Sequence, residues 1–458
     1  MRIVALAVLS ALLFPTSTPV AAASDNTWLA RHLSNSVSTR DAMVSVRAFD
    51  AAARFGGGDR APGSPGFEIS REYVEDVLER AGYRVTRQSV PYVEFVVDTE
   101  SLITSTGARV RVLMGQYTPS ARVEGVIAGV SGPGCAAADY PSDVAIAVVV
   151  SGGCATAAKT AAARDAGVRA LLVYDVSPTV DAVLRRQVPE AAVPVAFVSQ
   201  RDAQSLSGSG VLELAGHSFD ATTVNVFAET AGGRADHVVM AGAHLDSAED
   251  GPGINDNATS VAALLETAVR LAPHQHRVPN RVRFAFWGAE ELFALGSAHY
   301  VATLPPERLA TIRLYLNWEL IASPNYVHFV VDGDDSDHPD VGSPAGPPGS
   351  GTVEAVLAQG YRVRGVPFRS ADLNDIRSDQ EPFARAGVPV GGAFGGVRGI
   401  KTADEAAVFG GVAGQPYDPC YHQPCDDLSN VHVGALGEAM RAMAWAVGRF
   451  AVNDDLRA

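Results

Sequence analysis

Apolar runs of strand length alternate with amphipathic, helix-length segments through the second half of the chain. The helical patterns cover residues 260–271, 291–300 and 433–451. The strand-like runs lie at 238–243, 281–287, 312–317 and 388–394. Because parallel strands need helical crossovers, this order predicts an α/β fold with a mixed, mostly parallel sheet sandwiched by helices.

The first hundred residues carry another set of helical patterns. Apolar residues recur at helical spacing within residues 27–56, and a further helix is predicted between Ser70 as its N-cap and Gly82 just behind its end. Four residues form the apolar face of that helix: Tyr73, Val74, Val77 and Leu78. Residues 83–115 alternate and break like strands.

Between residues 118 and 225 the pattern changes to many short Val, Ala and Leu runs separated by Gly, Pro and Asp. One helix is predicted near 155–166. The stretch contains no histidine before His217 and no tight carboxylate cluster, so we expect a smaller β-rich α/β module without a catalytic part. The predicted organisation is a main domain in two parts, 24–117 and 226–458, interrupted by this insert.

Composition limits the class of protein. The chain has 458 residues, of which 47% are hydrophobic and 19% charged, which is ordinary for a soluble globular protein of one or two cores. A net charge of −15 argues against a nucleic-acid partner. Residues 1–23 combine a charged start, a short apolar run and small residues, as a signal peptide does. We therefore expect a secreted protein that has no membrane segment after cleavage near Ala23.

Four cysteines fit an oxidising compartment, and they form two pairs that are close in sequence. Cys135 lies near Cys154, and Cys420 lies near Cys425. Three disulfide connectivities are open to four cysteines, and we expect the local one. The alternative is a zinc site built from all four, but no C-x₂-C pair is present.

Metal-binding residue types follow three predicted strands. His244 ends the first strand, with Asp246 two residues later and Asp256 after a Gly/Pro/Asn turn. Glu290 and Glu291 follow the second strand. Further candidates come after the third strand and in the loop D-P-C-Y-H-Q-P-C-D: Glu319, Tyr421 and His422. Because ligands in open α/β sheets bind beyond the carboxyl ends of the strands, these side chains are expected to share one site.

The candidates suffice for two zinc ions. Two imidazoles and three carboxylates can hold two ions when one carboxylate bridges, and a hydroxide shared by ions about 3.5 to 4 Å apart is a nucleophile. Glu290 and Glu291 are adjacent, so one is expected to bind metal and the other to act as general base.

Two other motifs are weaker. His274 and His276 form an H-x-H pattern in a polar loop. Residues 332–340, D-G-D-D-S-D-H-P-D, suggest calcium, but they lack the glycine and terminal glutamate of an EF-hand, so a solvated loop is favoured.

Five motifs in this order resemble those of the secreted bacterial di-zinc leucyl aminopeptidases. They are H-L-D-S…G-P-G-I-N-D-N, F-A-F-W-G-A-E-E-L, Y-L-N-W-E-L, R-S-D-Q-E-P-F and D-P-C-Y-H-Q-P-C-D. Glutamate carboxypeptidase and the animal glutaminyl cyclases are relatives in the same metallopeptidase family. The match is strong over 226–455 and weak over 40–100. It implies the zinc aminopeptidase fold.

The resemblance implies a role for each residue. The first zinc would be bound by His244, which Asp246 orients, and Asp256 would bridge both ions. Glu291 and His422 would complete the second zinc site. The remaining roles are those of general base, oxyanion donor and substrate contact, for Glu290, Tyr421 and Arg377 respectively.

The resemblance extends to the insert, and the chain also departs from the family in two places. The insert resembles a protease-associated domain, in which Cys135 and Cys154 take positions that often form a disulfide. Glu319 stands where the aminopeptidases have aspartate as the remaining ligand of the first zinc, and Gln380 stands where histidine is usual.

We therefore expect a secreted, monomeric zinc aminopeptidase that removes an apolar N-terminal residue from peptides. A carboxypeptidase of the same family is the alternative, although few arginines near the motifs are available to bind a terminal carboxylate. Glutaminyl cyclisation would need one zinc and is disfavoured by five candidate ligands. The non-enzymatic alternative is a binding protein with a decayed zinc site.

Overall fold

The computed structural model describes residues 27–176, 180–339, 344–375 and 377–456. Within these ranges fourteen strands form one sheet. The strands are β1 Arg84–Thr104, β2 Arg109–Val110, β3 Val112–Met114, β4 Ala121–Gly129, β5 Ile146–Val150, β6 Ala170–Tyr174, β7 Val195–Val198, β8 Gly208–Glu229, β9 Arg234–His244, β10 Asn280–Trp287, β11 Ile312–Glu319, β12 Phe329–Val331, β13 Arg369–Ala371 and β14 Val390–Phe394.

Twelve α-helices are found in the same described ranges. They are α1 Trp28–Ser36, α2 Thr39–Gly56, α3 Pro65–Arg80, α4 Thr156–Asp165, α5 Gln200–Ser205, α6 Thr259–Leu271, α7 Leu295–Thr303, α8 Pro306–Leu309, α9 Ser350–Arg362, α10 Gln380–Arg385, α11 Ala403–Phe409 and α12 Val433–Val452. The helical patterns at 260–271 and 433–451 thus agree with α6 and α12 to within one residue.

The centre of the sheet is parallel. Strand β9 lies between β10 and β11 and runs parallel to both, and β11 also pairs in parallel with β14. Strand β8 pairs with β10 in the antiparallel sense, and so do β12 and β14. The sheet is therefore mixed and mostly parallel in this half, which confirms the predicted α/β class.

Helices cover both faces of this half of the sheet. On one face a large apolar cluster joins Phe284 of β10 to Leu264 of α6 and Trp445 of α12. On the other face Trp287 and Tyr315 pack against Phe383 of α10, whose ring stacks on that of Tyr315 with centroids 4.3 Å apart. Burial of both strand faces explains why these strands are continuous apolar runs in the sequence.

Two long strands connect the main domain to the insert. Strands β1 and β8 pair over 20 residue positions, and β8 passes from β10 at one end to β4 at the other. Apolar clusters of the insert also include residues before position 118, among them Leu102 and Met114. Because β1 and β8 belong to both units, the bounds at residues 118 and 225 stay a prediction.

Two helix starts differ from the sequence prediction. Helix α3 begins at Pro65, and its N-cap is Ser64, whose hydroxyl accepts a hydrogen bond from the backbone N–H of Phe67. Ser70 lies inside the helix, so its assignment as N-cap was wrong; Pro65 marks the true start because proline suits the first turn. Helix α7 begins at Leu295 and not at residue 291, since residues 290–294 form a turn closed by a hydrogen bond from the Ala294 N–H to the Glu290 carbonyl.

The predicted signal peptide, residues 1–23, lies outside the described residues. Within the parts of the chain that the structure describes, none of the helices combines the length and apolar character that a membrane crossing requires.

Candidate metal centre

The carboxyl ends of β9, β10 and β11 bring the central side chains together. His244 is the last residue of β9 and lies opposite Trp287, the last residue of β10. Glu319 ends the neighbouring strand β11, and its Oε1 lies 2.9 Å from His244 Nε2. His244 and Glu319 are 1% and 4% exposed, so the parallel register places an imidazole and a carboxylate side by side in a buried position.

Asp256 lies between the two imidazoles. Its Oδ1 is 3.3 Å from His244 Nε2, and its Oδ2 is 3.1 Å from His422 Nε2. The turn before it contains Gly253 with φ of 61°, where an added Cβ would lie 2.4 Å from the carbonyl oxygen of Asp256. Only glycine therefore permits the turn that presents Asp256 to both histidines.

His422 comes from a short disulfide loop. Cys420 and Cys425 are bonded, and so are Cys135 and Cys154, which confirms the predicted local pairing. His422 Nε2 lies 3.0 Å from Glu291 Oε2. The disulfide thus closes the loop that presents His422 to Glu291 and to the second oxygen of Asp256.

Asp246 contacts His244 mainly through its backbone. The carbonyl oxygen of Asp246 accepts a hydrogen bond from His244 Nδ1 at 3.0 Å, whereas the carboxylate Oδ1 is 3.6 Å away. Because a carbonyl can only accept, Nδ1 carries a proton, and Nε2 is the ring atom that can bind a metal once its own proton is displaced. The Asp246 carboxylate instead accepts the backbone N–H groups of Glu290 and Glu291, each at 3.1 Å.

The spacing of these atoms fits metal ligation. Two ligand atoms bound to one tetrahedral zinc at about 2.1 Å are about 3.4 Å apart, which is close to the imidazole–carboxylate distances of 2.9 to 3.3 Å. His244, Asp256 and Glu291 offer ligand atoms that all lie within 4.8 Å of one another. Glu291 Oε1 is buried and accepts no hydrogen bond from any residue that the structure describes, so this oxygen is available to a cation.

The electrostatics of the centre also favour cations. Burial raises the pKa of Glu290 well above its ordinary value and also raises that of Glu291. Burial alone would lower the pKa of His244 and His422, but neighbouring carboxylates raise both well above the ordinary value. Burial opposes ionisation of Asp256 too, yet hydrogen bonds from the two histidines hold its pKa below the usual range. Four carboxylates for two imidazoles leave an excess of buried negative charge, which divalent ions would neutralise.

Glu319 reaches the centre despite its extra methylene. Its Oε2 accepts a hydrogen bond from the Ser378 hydroxyl at 2.5 Å, while Oε1 faces His244. The amide of Asn317 lies 3.4 Å from the same Oε2. These contacts fix the orientation of the carboxylate, so glutamate can take the place that aspartate holds in the resembling enzymes.

Tyr421 and Arg377 line a cavity of about 680 Å³ that opens onto Asp256, Glu290 and Glu319. The Tyr421 ring stacks on His422 with centroids 3.8 Å apart, and burial with the nearby carboxylates raises the pKa of its hydroxyl well above the ordinary value. The hydroxyl therefore stays protonated and can donate a hydrogen bond. Apolar side chains form another part of the wall: Leu320, Phe329, Phe394, Val397, Ile400 and Tyr417.

Two positioning residues were not predicted from the sequence. The buried guanidinium of Arg60 donates to the carbonyls of Leu245, Pro252 and Gly253, and so connects the end of β9 to the turn before Asp256. Asp426 accepts the backbone N–H of Asp256 at 3.0 Å. A single arginine inside a Gly/Pro-rich loop, and an aspartate directly after Cys425, were the only signals of these roles.

The two weaker motifs lie outside this centre. His274 packs edge-on against Trp28 and His32. Asp332, Asp334 and Glu354 form a second group of carboxylates that lie within 4.8 Å of one another. Asp332 is 2% exposed and accepts backbone N–H groups of Asp334 and of residues 336–338, so it organises the loop around it.

Comparison with known proteins agrees with this geometry. The profile of Peptidase family M28 matches residues 225–447, and that of the PA domain matches residues 123–206. The chain is 38% identical over 435 residues to a protein of Mycobacterium tuberculosis named probable lipoprotein aminopeptidase LpqL, covering 92% of this chain and 86% of the relative. It is 35% identical over 430 residues to an aminopeptidase of Pseudomonas aeruginosa, covering 87% and 78%.

A similar fold is found among solved structures. The zinc aminopeptidase of Bacillus subtilis superposes with a TM-score of 0.69 at 20% identity, over 90% of this chain and 94% of the other. Family profile, relatives and fold agree with the family inferred from the five motifs, and the chain therefore belongs to Peptidase family M28 and carries an inserted PA domain.

Proposed function

We propose that this protein is a zinc-dependent aminopeptidase with two zinc ions per chain, and that it acts on peptides outside the cell as a monomer. The observation that carries the proposal is the position of Asp256, with one oxygen facing each imidazole at 3.3 and 3.1 Å. Relatives named aminopeptidase support the reaction, and the two disulfides suit an oxidising compartment.

The ligands divide into two sets around Asp256. His244 and Glu319 would hold the first ion, Glu291 and His422 the second, and Asp256 would bridge them. When bound, such ions would supply Lewis-acid chemistry, polarising a substrate carbonyl and lowering the pKa of a bound water. Asp246 would keep the lone pair of His244 aimed at its ion through the backbone carbonyl.

Glu290 would transfer the protons. Its Oε2 is 3.9 Å from His244 Nε2, which is farther than the distances between the imidazoles and the candidate ligand carboxylates. The Glu290 carboxylate therefore lies beside the centre without taking a ligand position. It would take a proton from the attacking water and deliver it to the leaving amine. The Tyr421 hydroxyl, which its raised pKa keeps protonated, would donate to the developing oxyanion.

The 680 Å³ cavity would receive the N-terminal residue. Glu290 and Glu319 at its inner end would attract the substrate ammonium, and the apolar wall around Phe329 and Phe394 would hold an apolar side chain. Arg377 at the same cavity would contact the substrate. A chain with a blocked amine would lose the attraction of both carboxylates.

The test combines metal analysis with a peptide panel. Purified protein is expected to contain two zinc ions per chain and to hydrolyse leucyl peptides with a free amine, but not the N-acetylated peptides. Chelation should abolish activity, and zinc should restore it. Release of C-terminal residues from the blocked peptides would instead support a carboxypeptidase, and absence of bound zinc would reject the proposal.

A further inference from the structure

A second cavity opens on the other side of the candidate metal centre. It has a volume of about 310 Å³ and is lined by Glu291, Tyr421 and His422 at its inner end. Its walls come from both units of the chain, because residues 184–187 of the insert face residues 247–250 of the main domain. The Gln187 side chain donates to the carbonyl of Glu291 at 3.3 Å, so the insert directly contacts the residue after the proposed base.

The arginines of this cavity are already paired. Arg185 forms ion pairs with Glu100 at 2.9 Å and with Asp250 at 3.4 Å. Arg186 and Arg398 both pair with Asp175. Arg185 is therefore balanced by two carboxylates, whereas Arg186 and Arg398 share one and keep part of their positive charge.

Two carboxylates of the cavity are not paired in this way. Among the described residues, neither Glu94 nor Glu249 forms an ion pair, and Glu249 only accepts a hydrogen bond from the Gln116 amide at 2.7 Å. The pKa of Glu249 is raised to about 7, mainly because the cavity walls bury the carboxyl group and secondly because the negative charge of Glu94 is near. Its side chain lines the cavity, and at pH 8, above this pKa, Glu249 is mainly ionised.

An exposed aromatic ring stands at the rim. Phe293 is 74% exposed and has φ of 63°, in the left-handed region that a bulky residue rarely adopts. It follows Glu290 and Glu291 in the turn before α7. Phe293 lines the same cavity as Glu94 and Glu249, and a cavity that offers both an aromatic face and carboxylates favours an ammonium or guanidinium group.

The first cavity determines what reaches the second. With the ammonium at Glu290 and Glu319 and the first side chain against Phe329, as proposed above, the scissile carbonyl would lie between the two imidazoles. The rest of the peptide would then pass Glu291 and His422, which line the second cavity.

We propose that this acidic cavity is the subsite for the second residue of the peptide, and that Glu94, Glu249 and Phe293 select lysine or arginine there. The inference rests on the proposed aminopeptidase function and extends it to the substrate class. The substrates favoured are peptides with an apolar first residue and a basic second residue.

The experiment compares three peptide amides, Leu-Lys-Gly, Leu-Gln-Gly and Leu-Glu-Gly, at pH 8. The C-terminal amide removes the carboxylate that Arg398 would otherwise attract. The wild-type kcat/KM for the lysine peptide should exceed that for the glutamine peptide about fivefold, as for a partly exposed charge pair, and the glutamate peptide should be slowest. Glu94→Gln and Glu249→Gln should each lower the lysine-to-glutamine ratio, and the double variant should bring it to about one.

Glu124→Gln is the matched control, since this exposed glutamate lies on β4 of the insert and its variant should keep the wild-type ratio. Equal rates for lysine and glutamine peptides, a preference for glutamate, or an unchanged ratio in the double variant would overturn the subsite. Failure of the wild type to cleave all three peptides would instead overturn the proposed function and the subsite with it.

Discussion

Glu290 and Glu291 are adjacent in sequence but have different surroundings. The backbone N–H groups of both are held by the carboxylate of Asp246, and from there Glu291 Oε2 reaches His422 at 3.0 Å while Glu290 Oε2 stays 3.9 Å from His244. A single buried aspartate therefore directs two neighbouring carboxylates to different positions. This divergence is the structural basis for the proposed roles of Glu291 as ligand and Glu290 as base.

Replacement of Glu290 tests that separation. Glu290→Gln keeps the size of the side chain but removes the proton acceptor, so kcat for a leucyl anilide should fall by about 10²- to 10⁴-fold. Zinc content should stay at the wild-type value, as measured by atomic absorption. Loss of zinc together with activity would show that Glu290 is a ligand.

Glu319 provides the complementary test at a proposed ligand position. Glu319→Gln should lower the affinity for one zinc ion, because a charged ligand is removed. The decrease should exceed the roughly 10- to 100-fold that loss of a residue contacting a ligand costs. The zinc affinity of Glu319→Asp should lie between those of Glu319→Gln and the wild type, since a shorter carboxylate would reach the ion beside His244 less well. A competition titration with a chromophoric chelator measures both, with Glu290→Gln as the matched control for charge.

Sequence reasoning succeeded at this scale wherever topology determined the outcome. His244 and Glu319 end parallel neighbouring strands, so a pattern of apolar runs suffices to bring them together. It failed for Arg60, whose partner Pro252 is 192 positions away and has no local signal. It also could not show that Asp246 uses its backbone carbonyl to orient His244.

At the scale of elements, turns caused the differences between prediction and structure. The apolar pattern over 291–300 predicts a helix, but Ala289, Phe293 and Ala294 adopt positive φ and delay the start of α7 to Leu295. Helical periodicity does not report backbone angles, so the turn that carries the two glutamates was not visible. The disulfide loop around His422 was predicted because cysteine spacing is itself a constraint.

The two disulfides allow a matched comparison of loops. Replacing Cys420 and Cys425 by serine removes the bond that closes the loop around His422, so zinc affinity at the second position and kcat should both fall, and the free energy of unfolding should drop by roughly 2 kcal/mol. Replacing Cys135 and Cys154, which lie in the insert, should cost stability without changing the zinc affinity. Zinc titration and thermal unfolding of both variants check this, and equal zinc affinity in the two would contradict it.

For the molecule as a whole, the sheet connects the metal centre to the insert. Strands β1 and β8 run through both units, and residues 184–187 reach the cavity beside Glu291. The sequence distinguishes the insert by its composition, and we therefore predicted an insert without a catalytic part. The continuous sheet could not be foreseen, because pairing of two strands more than twenty residues long depends on contacts across the insert itself.

The excess of buried acid makes stability of the whole molecule depend on pH and zinc together. Burial raises the pKa of Asp379 and of Asp426 to about 8 from an ordinary value of 3.8, and Glu290 and Glu291 are also raised. A raised pKa means that the folded state binds the proton more tightly, so this stability is complete below about pH 4 and is lost as the pH rises through about 8. Asp256 is shifted downward and loses its contribution only in strong acid.

Zinc should reverse this loss. The two proposed zinc ions would replace protons as the balancing charge, and at pH 5.5 they would also have to displace protons from His244 and His422, whose pKa values are raised. The increase in Tm on adding zinc to chelated protein should therefore be larger at pH 8.5 than at pH 5.5. At a zinc concentration of 100 Kd, each ion should add about 2.7 kcal/mol. Calorimetry at the two pH values decides, and a larger increase at pH 5.5 would mean that protons do not compete with metal at this centre.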